Sequence, residues 1–254
     1  MRWDVDVFQR FATERLRPAM ELLARIDADA PAHVVNLGCG PGNVTARLKR
    51  RWPSAEVTGI DTSEEMLAKA RATVPECQFL SADIERWQPE HPADVIYSNA
   101  ALHWLGSHET LFPRLMEQLA PGGTLAVSMP GMFDTPMETL RFTVAAREPW
   151  AQHLSNVTLA KRILTPVDYW RALRDHASDL AVWESTYVHP LPDETGVAQW
   201  ASGASLRSFI DPLPEDLRPS FIEAYAREIR PHYPPEPDGT TLLPFRRIFV
   251  IARR

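Results

Sequence analysis

Val34-Val35-Asn36-Leu37-Gly38-Cys39-Gly40-Pro41-Gly42-Asn43 is an apolar strand that runs into a glycine turn and then opens a helix. Glycine accepts left-handed backbone angles and lets a ligand approach the main chain closely, so a turn of this kind at a strand end is a candidate nucleotide cradle. Its spacing is G-x-G-x-G. A dinucleotide fingerprint keeps a third glycine one residue further on, beside a pyrophosphate, and that position here is Asn43. A cofactor without phosphates suits the loop better.

Asp61 ends the next apolar run, Thr58-Gly59-Ile60-Asp61, about 20 residues beyond the loop, where a carboxylate accepts hydrogen bonds from ribose hydroxyls. That placement suits the ribose of NAD or of any other nucleoside cofactor, and Asp61-Thr62-Ser63-Glu64 also reads as an ordinary helix cap. Asp83 follows the third run in Leu80-Ser81-Ala82-Asp83-Ile84. A carboxylate there suits an adenine amino group, with Ile84 covering the ring, and the dinucleotide fingerprint has no such element. The conjunction carries the argument, because open α/β sheets bind ligands at the carboxyl ends of successive strands.

Short β-branched runs alternate with amphipathic stretches between His33 and Met129, which predicts a parallel sheet flanked by helices. The predicted strands are His33–Leu37, Glu56–Ile60, Gln78–Leu80, Asp94–Ser98 and Thr124–Met129, with helices over Asn43–Arg51, Glu64–Thr73 and His108–Leu119. Beyond Pro130 prolines become dense. Val182–His189 and Leu242–Ala252 still read as strands, and Pro166–His176, Thr195–Ala204 and Glu215–Arg230 as helices. The expectation is an α/β, Rossmann-like, doubly wound and mostly parallel seven-stranded sheet, with a helical cap inserted before the last strand. Its segments are 1–30 (a helical segment and cofactor lid), 31–189 (the core, interrupted after 130), 190–241 (a cap over the ligand edge) and 242–254 (the final strand).

Composition narrows the partners. The 254 residues carry a formal net charge of -6, which argues against a nucleic-acid partner, since that affinity rests on clustered cations in excess. No apolar run approaches the roughly 20 residues of a membrane span, and the acidic N-terminus predicts a cytoplasmic protein rather than an exported one. Cys39 and Cys77 are the only cysteines, too few for a disulfide framework or a zinc pattern; both read as buried small hydrophobes. No metal site is expected.

Taken with Leu119-Ala120-Pro121-Gly122-Gly123, the motifs Leu37–Gly42, Gly59-Ile60-Asp61 and Ala82-Asp83-Ile84 resemble those of the class I S-adenosylmethionine-dependent methyltransferases, over about Val34 to Met129. The resemblance implies S-adenosylmethionine as cofactor and S-adenosylhomocysteine as product. It assigns cofactor contacts to Asn36, Gly38, Gly40, Gly42, Asp61, Thr62, Met66, Asp83, Ile84 and Asn99, with Phe8 and Phe11 as a possible lid pair. One departure stands out: the family commonly has Asp or Glu where this chain has Asn36, which offers a carbonyl oxygen without the charge.

A narrower resemblance, to the trans-aconitate 2-methyltransferase family, runs along nearly the whole chain. It rests on Phe11-Ala12-x-Glu14-Arg15-x-Arg17-Pro18-Ala19, Asn99-Ala100-Ala101-Leu102-His103-Trp104-Leu105, Leu206-Arg207, and Tyr233-Pro234 followed by Gly239 and Leu242-Leu243-x-Phe245-x-Arg247-x-Phe249. It implies a small tricarboxylate acceptor. A carboxylate is already ionised near neutral pH, so no acid or base residue is expected, and the task is positioning. Arginine pairs a carboxylate through a planar fork; Arg15, Arg207 and Arg247 are the candidates, with His103, Trp104 and Tyr233 as donors or walls. Each has a structural alternative: Arg15 as a helix brace, Arg207 as a solvated charge, Arg247 as an outward strand residue, His103 and Trp104 as core. The competing functions are methylation of another small acid or of a hydroxyl, for which His103 is the one candidate base, an NAD(P)-dependent oxidoreductase, and a non-catalytic binding module.

Overall fold

The structure is a computed structural model that describes residues 12–157, 163–203 and 205–254. Among these, seven strands form one sheet: β1 His33–Leu37, β2 Glu56–Asp61, β3 Gln78–Ser81, β4 Ala93–Asn99, β5 Leu119–Pro130, β6 Asp179–Leu191 and β7 Thr241–Arg253. Their order is β3-β2-β1-β4-β5-β7-β6. The first five pair in parallel, and β7 lies antiparallel to β5, with Val127 opposite Val250. This is the predicted doubly wound sheet, completed by two late strands.

The helices are α1 Ala12–Ala24, α2 Asn43–Arg51, α3 Glu64–Thr73, α4 His108–Glu117, α5 Pro136–Ala145, α6 Ala151–Leu154, α7 Pro166–Leu173, α8 Gly196–Ser202, α9 Arg207–Ile210 and α10 Arg218–Ile229. Helices α2 and α3 fall on their predicted bounds. Helix α4 stops at Glu117 rather than Leu119, because Leu119 already belongs to β5 and pairs with Ala93 across a register irregularity. The predicted helix Glu215–Arg230 is split into a 3-10 turn, Glu215–Leu217, and α10. Pro219 cannot donate a backbone hydrogen bond, and a first-turn position is where a helix tolerates that loss.

The described residues fall into two compact units: those of 16–130, 163–185 and 247–254 form one, and those of 12–15, 131–157, 186–203 and 205–246 the other. Residues 131–157, which follow the point where the core was expected to be interrupted, group with the segment expected as a cap. In that second unit Met132, Trp150, Trp200, Phe209, Phe221 and Tyr225 share one apolar core, and the Tyr225 hydroxyl donates to the Met137 carbonyl at 2.7 Å. Of the cysteines, Cys39 is buried and Cys77 only half-buried, since Cys77 stands in the turn before β3.

In the sheet unit, His108 at the start of α4 is 1% exposed. Burial lowers its pKa from the ordinary histidine value, with opposing contributions from the Leu102 and Leu105 carbonyls and Glu109. Above about pH 6.5 the ring is neutral folded and unfolded alike, and contributes no pH dependence. Below that value the unfolded chain takes up a proton that the folded chain refuses. Stability from this residue therefore falls as pH drops, by at most about 1.4 kcal/mol per pH unit. His108→Gln should remove that component between pH 6.5 and 5 in denaturant titrations; identical pH slopes for parent and variant would contradict it.

Candidate cofactor and acceptor site

The strand order reverses at β1, which pairs with β2 on one side and β4 on the other, so the carboxyl ends of β1 and β4 diverge from a switch point. The glycine turn leaves from that point. Gly38, Gly40 and Gly42 all have positive φ, at 70°, 53° and 87°. Gly38 is the most constrained: a Cβ built there would lie 2.1 Å from the Cβ of Ala101, in the turn after β4. Ala100 in that turn is itself left-handed, at φ 56°. At Gly40 an added Cβ meets nothing within 4 Å among the described residues, so these leave room for a ligand on that side of the loop.

Asp61 ties the loop to the next helix. One carboxylate oxygen accepts from the Gly40 N–H at 2.9 Å and the other from the Ser63 N–H at 2.9 Å, while Ser63 Oγ caps α3 through the Met66 N–H at 3.4 Å. The cap reading and the ribose reading hold together, because a carboxylate has about four acceptor positions and these bonds use two. Thr62 is exposed and Met66 half-buried. Asp83 is exposed and accepts from the Glu85 N–H at 2.9 Å. Ile84 is 8% exposed, with its carbonyl held by Arg114 at 2.7 Å. Asp61→Ala is expected to weaken S-adenosylmethionine binding by about 1.5–3 kcal/mol, roughly ten- to a hundredfold. Asp61→Asn should fall between, and unchanged calorimetric affinity in Asp61→Ala would remove the residue from the site.

Asn36 is 2% exposed, and its amide nitrogen donates to Thr45 Oγ1 at 2.9 Å. It braces the strand before the loop against α2, and Thr45 is wholly buried. Beside the loop, burial and then the Asp61 charge push the Cys39 thiol up to about 12, so that sulfur is an inert wall.

At the ends of β4 and β5 stands Arg247, 4% exposed. Its Nε donates to Ser128 Oγ at 2.9 Å and one terminal nitrogen to Asn99 Oδ1 at 3.0 Å. It is a buried cation aimed along the carboxyl ends of the sheet, not an outward strand residue. Asn99, a cofactor candidate, and Arg247, an acceptor candidate, are thus bonded directly to each other, and Arg247 has a second partner, Ser128, which the sequence reading missed. His103 and Trp104 lie in a 3-10 turn, Leu102–Trp104, with ring centroids 4.8 Å apart; Trp104 is 39% exposed and not core.

Arg207 and Tyr233 belong to the other unit. Arg207 opens α9 with its Nε 3.9 Å from Asp211. Burial raises the Tyr233 pKa above the ordinary phenol value, opposed by the Met137 N–H and the Thr135 side chain. Phe8, Phe11 and the side chain of Arg15 lie outside the described residues.

The methyltransferase domain family matches residues 34–123. The trans-aconitate 2-methyltransferase of Paracidovorax citrulli (strain AAC00-1) is 46% identical over 99% of this chain and 98% of that one. The chain belongs to the trans-aconitate 2-methyltransferase family. Another member, from Methylobacterium radiotolerans, is 45% identical over the same shares of the two chains. Among solved structures, the YcgJ protein from Bacillus subtilis superposes with a TM-score of 0.61 at 14% identity, covering 94% of this chain and 98% of that one. An S-adenosylmethionine-dependent methyltransferase from Mesorhizobium loti gives 0.52 at 22% identity, covering 92% and 96%. Those two likenesses establish the fold; likeness to the family extends through the half of the chain that follows the cofactor motifs. No described helix is long and apolar enough to cross a membrane.

Proposed function

We propose that this enzyme transfers the methyl group of S-adenosylmethionine to one carboxylate of trans-aconitate, giving a monomethyl ester and S-adenosylhomocysteine. The observation that carries the reading is the reach of the family similarity, which spans 99% of the chain, where the domain match stops at residue 123. The residues fit the cofactor: three left-handed glycines, room beside Gly40 among the described residues, and Asp61 with acceptor positions to spare. Asp61 would hold the ribose, and Asp83 the adenine amino group. When bound, the sulfonium supplies an electrophilic methyl carbon.

The protein's own part is to hold the acceptor and exclude water. Arg247 offers a buried cation for an acceptor carboxylate, with its guanidinium fixed by Ser128 and Asn99. Arg207, Arg15 and Tyr233 are assigned to the acid on the family resemblance. Attack by carboxylate on sulfonium cancels charge, so a poorly solvated site favours the transition state over separated ions. A cytoplasmic location accords with these small metabolic substrates.

Purified enzyme incubated with labelled S-adenosylmethionine and a panel of di- and tricarboxylic acids tests the assignment; label transfer fastest to an acid other than trans-aconitate overturns it. With no base required, turnover should stay nearly flat from about pH 6.5 to 8. A steep rise following one group near the histidine range of about 6.5 would instead favour His103 as a base and a hydroxyl acceptor.

A further inference from the structure

The turn that carries His103 and Trp104 has no regular secondary structure beyond one 3-10 turn, yet it stands where positional precision matters. Its neighbour Leu102 is fully buried, and so is His108. One ring nitrogen of His108, Nε2, lies 2.9 Å from the Leu102 carbonyl, and the other, Nδ1, lies 2.5 Å from the Tyr169 hydroxyl. A carbonyl only accepts, so Nε2 carries the proton; Nδ1 then has a lone pair, and the Tyr169 hydroxyl donates to it. Tyr169 is also fully buried, packed on Phe112 with ring centroids 4.7 Å apart, and its oxygen lies 3.9 Å from Met129 Sδ at the end of β5. Helix α7 supplies Tyr169 and helix α4 supplies His108. Together they clamp a loop carbonyl from two regular elements.

We propose that His108 and Tyr169 are positioning residues for the acceptor: they fix the Leu102 carbonyl, and through it the Leu102–Trp104 turn that presents His103 and Trp104. This rests on the reading that the turn lines the acceptor site. The chain of donors has a direction, Tyr169 to His108 to Leu102, and it holds only while the imidazole is neutral with its proton on Nε2. Their hydrogen bonds and ring contacts go to Leu102, Phe112, Met129 and each other, not to the glycine loop or Asp61, so cofactor affinity is expected not to depend on them. Their contribution is geometric and is felt in the reaction of the acid, where small misplacements of reacting atoms are costly in rate.

Four variants and one spectrum decide it. His108→Gln keeps a donor near the position of Nε2, His108→Leu keeps only bulk, and Tyr169→Phe keeps the ring without its hydroxyl. The expected result is a fall in kcat/KM for trans-aconitate of about tenfold in His108→Leu and about two- to tenfold in Tyr169→Phe, from the net worth of a buried hydrogen bond. His108→Gln should recover most of the loss, and S-adenosylmethionine affinity should stay within about twofold in all three. Nitrogen-15 NMR of the parent should find the His108 ring as the Nε2–H tautomer at neutral pH, and Tyr169→Phe should disturb that spectrum. Because His108→Leu risks the fold, Tyr169→Phe and the NMR measurement stand without it. The proposal is overturned if Tyr169→Phe retains parental kcat/KM, if cofactor affinity falls as much as acid turnover, or if the ring is the Nδ1–H tautomer. His103→Ala separates the two levels. If it impairs acid turnover while Tyr169→Phe does not, the turn serves the acceptor and the clamp is wrong; if it leaves acid turnover intact, the reading beneath fails and the clamp's role falls with it.

Discussion

Gly38→Ala should destabilise the protein by about 2–6 kcal/mol and abolish cofactor binding at ordinary ligand concentrations. Two separate costs add. Holding a non-glycine residue at a positive φ costs about 1–3 kcal/mol, and φ here is 70°. Forcing a methyl group into occupied space costs typically about 1–3 kcal/mol more, and the new Cβ would stand 2.1 Å from Ala101. Whole domains have only about 5–15 kcal/mol of stability, so the variant should melt far below the parent. Ala101→Gly in the same chain provides a control, because it removes the clash and leaves the strain. The double variant should recover about 1–3 kcal/mol in thermal unfolding, with weak cofactor binding still visible by calorimetry. A Gly38→Ala protein that unfolds with the parent would mean that the turn is free to move, and that its glycines are not there for geometry.

Arg207→Leu should lower kcat/KM for trans-aconitate by about 2–5 kcal/mol, the cost of leaving a desolvated carboxylate without its partner, or roughly thirtyfold to a few thousandfold. S-adenosylmethionine affinity should barely change. The competing expectation comes from Asp211, 3.9 Å from the Arg207 Nε in the same unit. That contact is long and partly buried, with the side chains 16% and 33% exposed, and if it were the whole role of Arg207 its loss would leave turnover nearly intact. Arg207→Lys sharpens the reading: it keeps charge and loses the fork, so partial rescue would assign the effect to charge more than to paired hydrogen bonds. Arg247→Leu provides the contrast. Its guanidinium also binds Ser128 and Asn99, so it should lower stability together with turnover, whereas Arg207→Leu should act on turnover alone. If each arginine can be replaced without loss, a tricarboxylate acceptor is untenable and methyl transfer to some other group remains.

Much of this was legible in the sequence because buried parallel strands are short, β-branched and punctuated by glycine, and the loop after β1 needs three positive φ angles that glycine alone adopts cheaply. Even the end of α2 could be placed within a residue. Long-range partners left no such trace. Nothing in the sequence pairs Asn36 with Thr45, yet that 2.9 Å bond gives the uncharged residue a bracing role at a place where the class I resemblance implies an acid. Arg247 looked like an arginine on a late strand with either side to face. Its burial follows from β7 lying beside β5, a neighbour 119 residues away for the Ser128 contact. His108 and Tyr169, separated by 61 residues, showed no motif at all, because a clamp needs only two side chains that fold brings together. The interruption of the core after 130 was legible from the loosening of the pattern and the dense prolines beyond it, but not which unit the inserted residues join, because that too depends on long-range partners.

The strand order has a bearing on synthesis at the ribosome. Strand β6 is made first, but β7 takes the place between it and β5, and residues 192–240 intervene. During translation, at roughly 5–20 residues per second, β6 emerges with its neighbour in the sheet not yet in existence. The nascent chain must therefore carry a thirteen-residue strand with open hydrogen-bonding edges until β7 leaves the exit tunnel, which makes this interval the time at which a chaperone has most to protect.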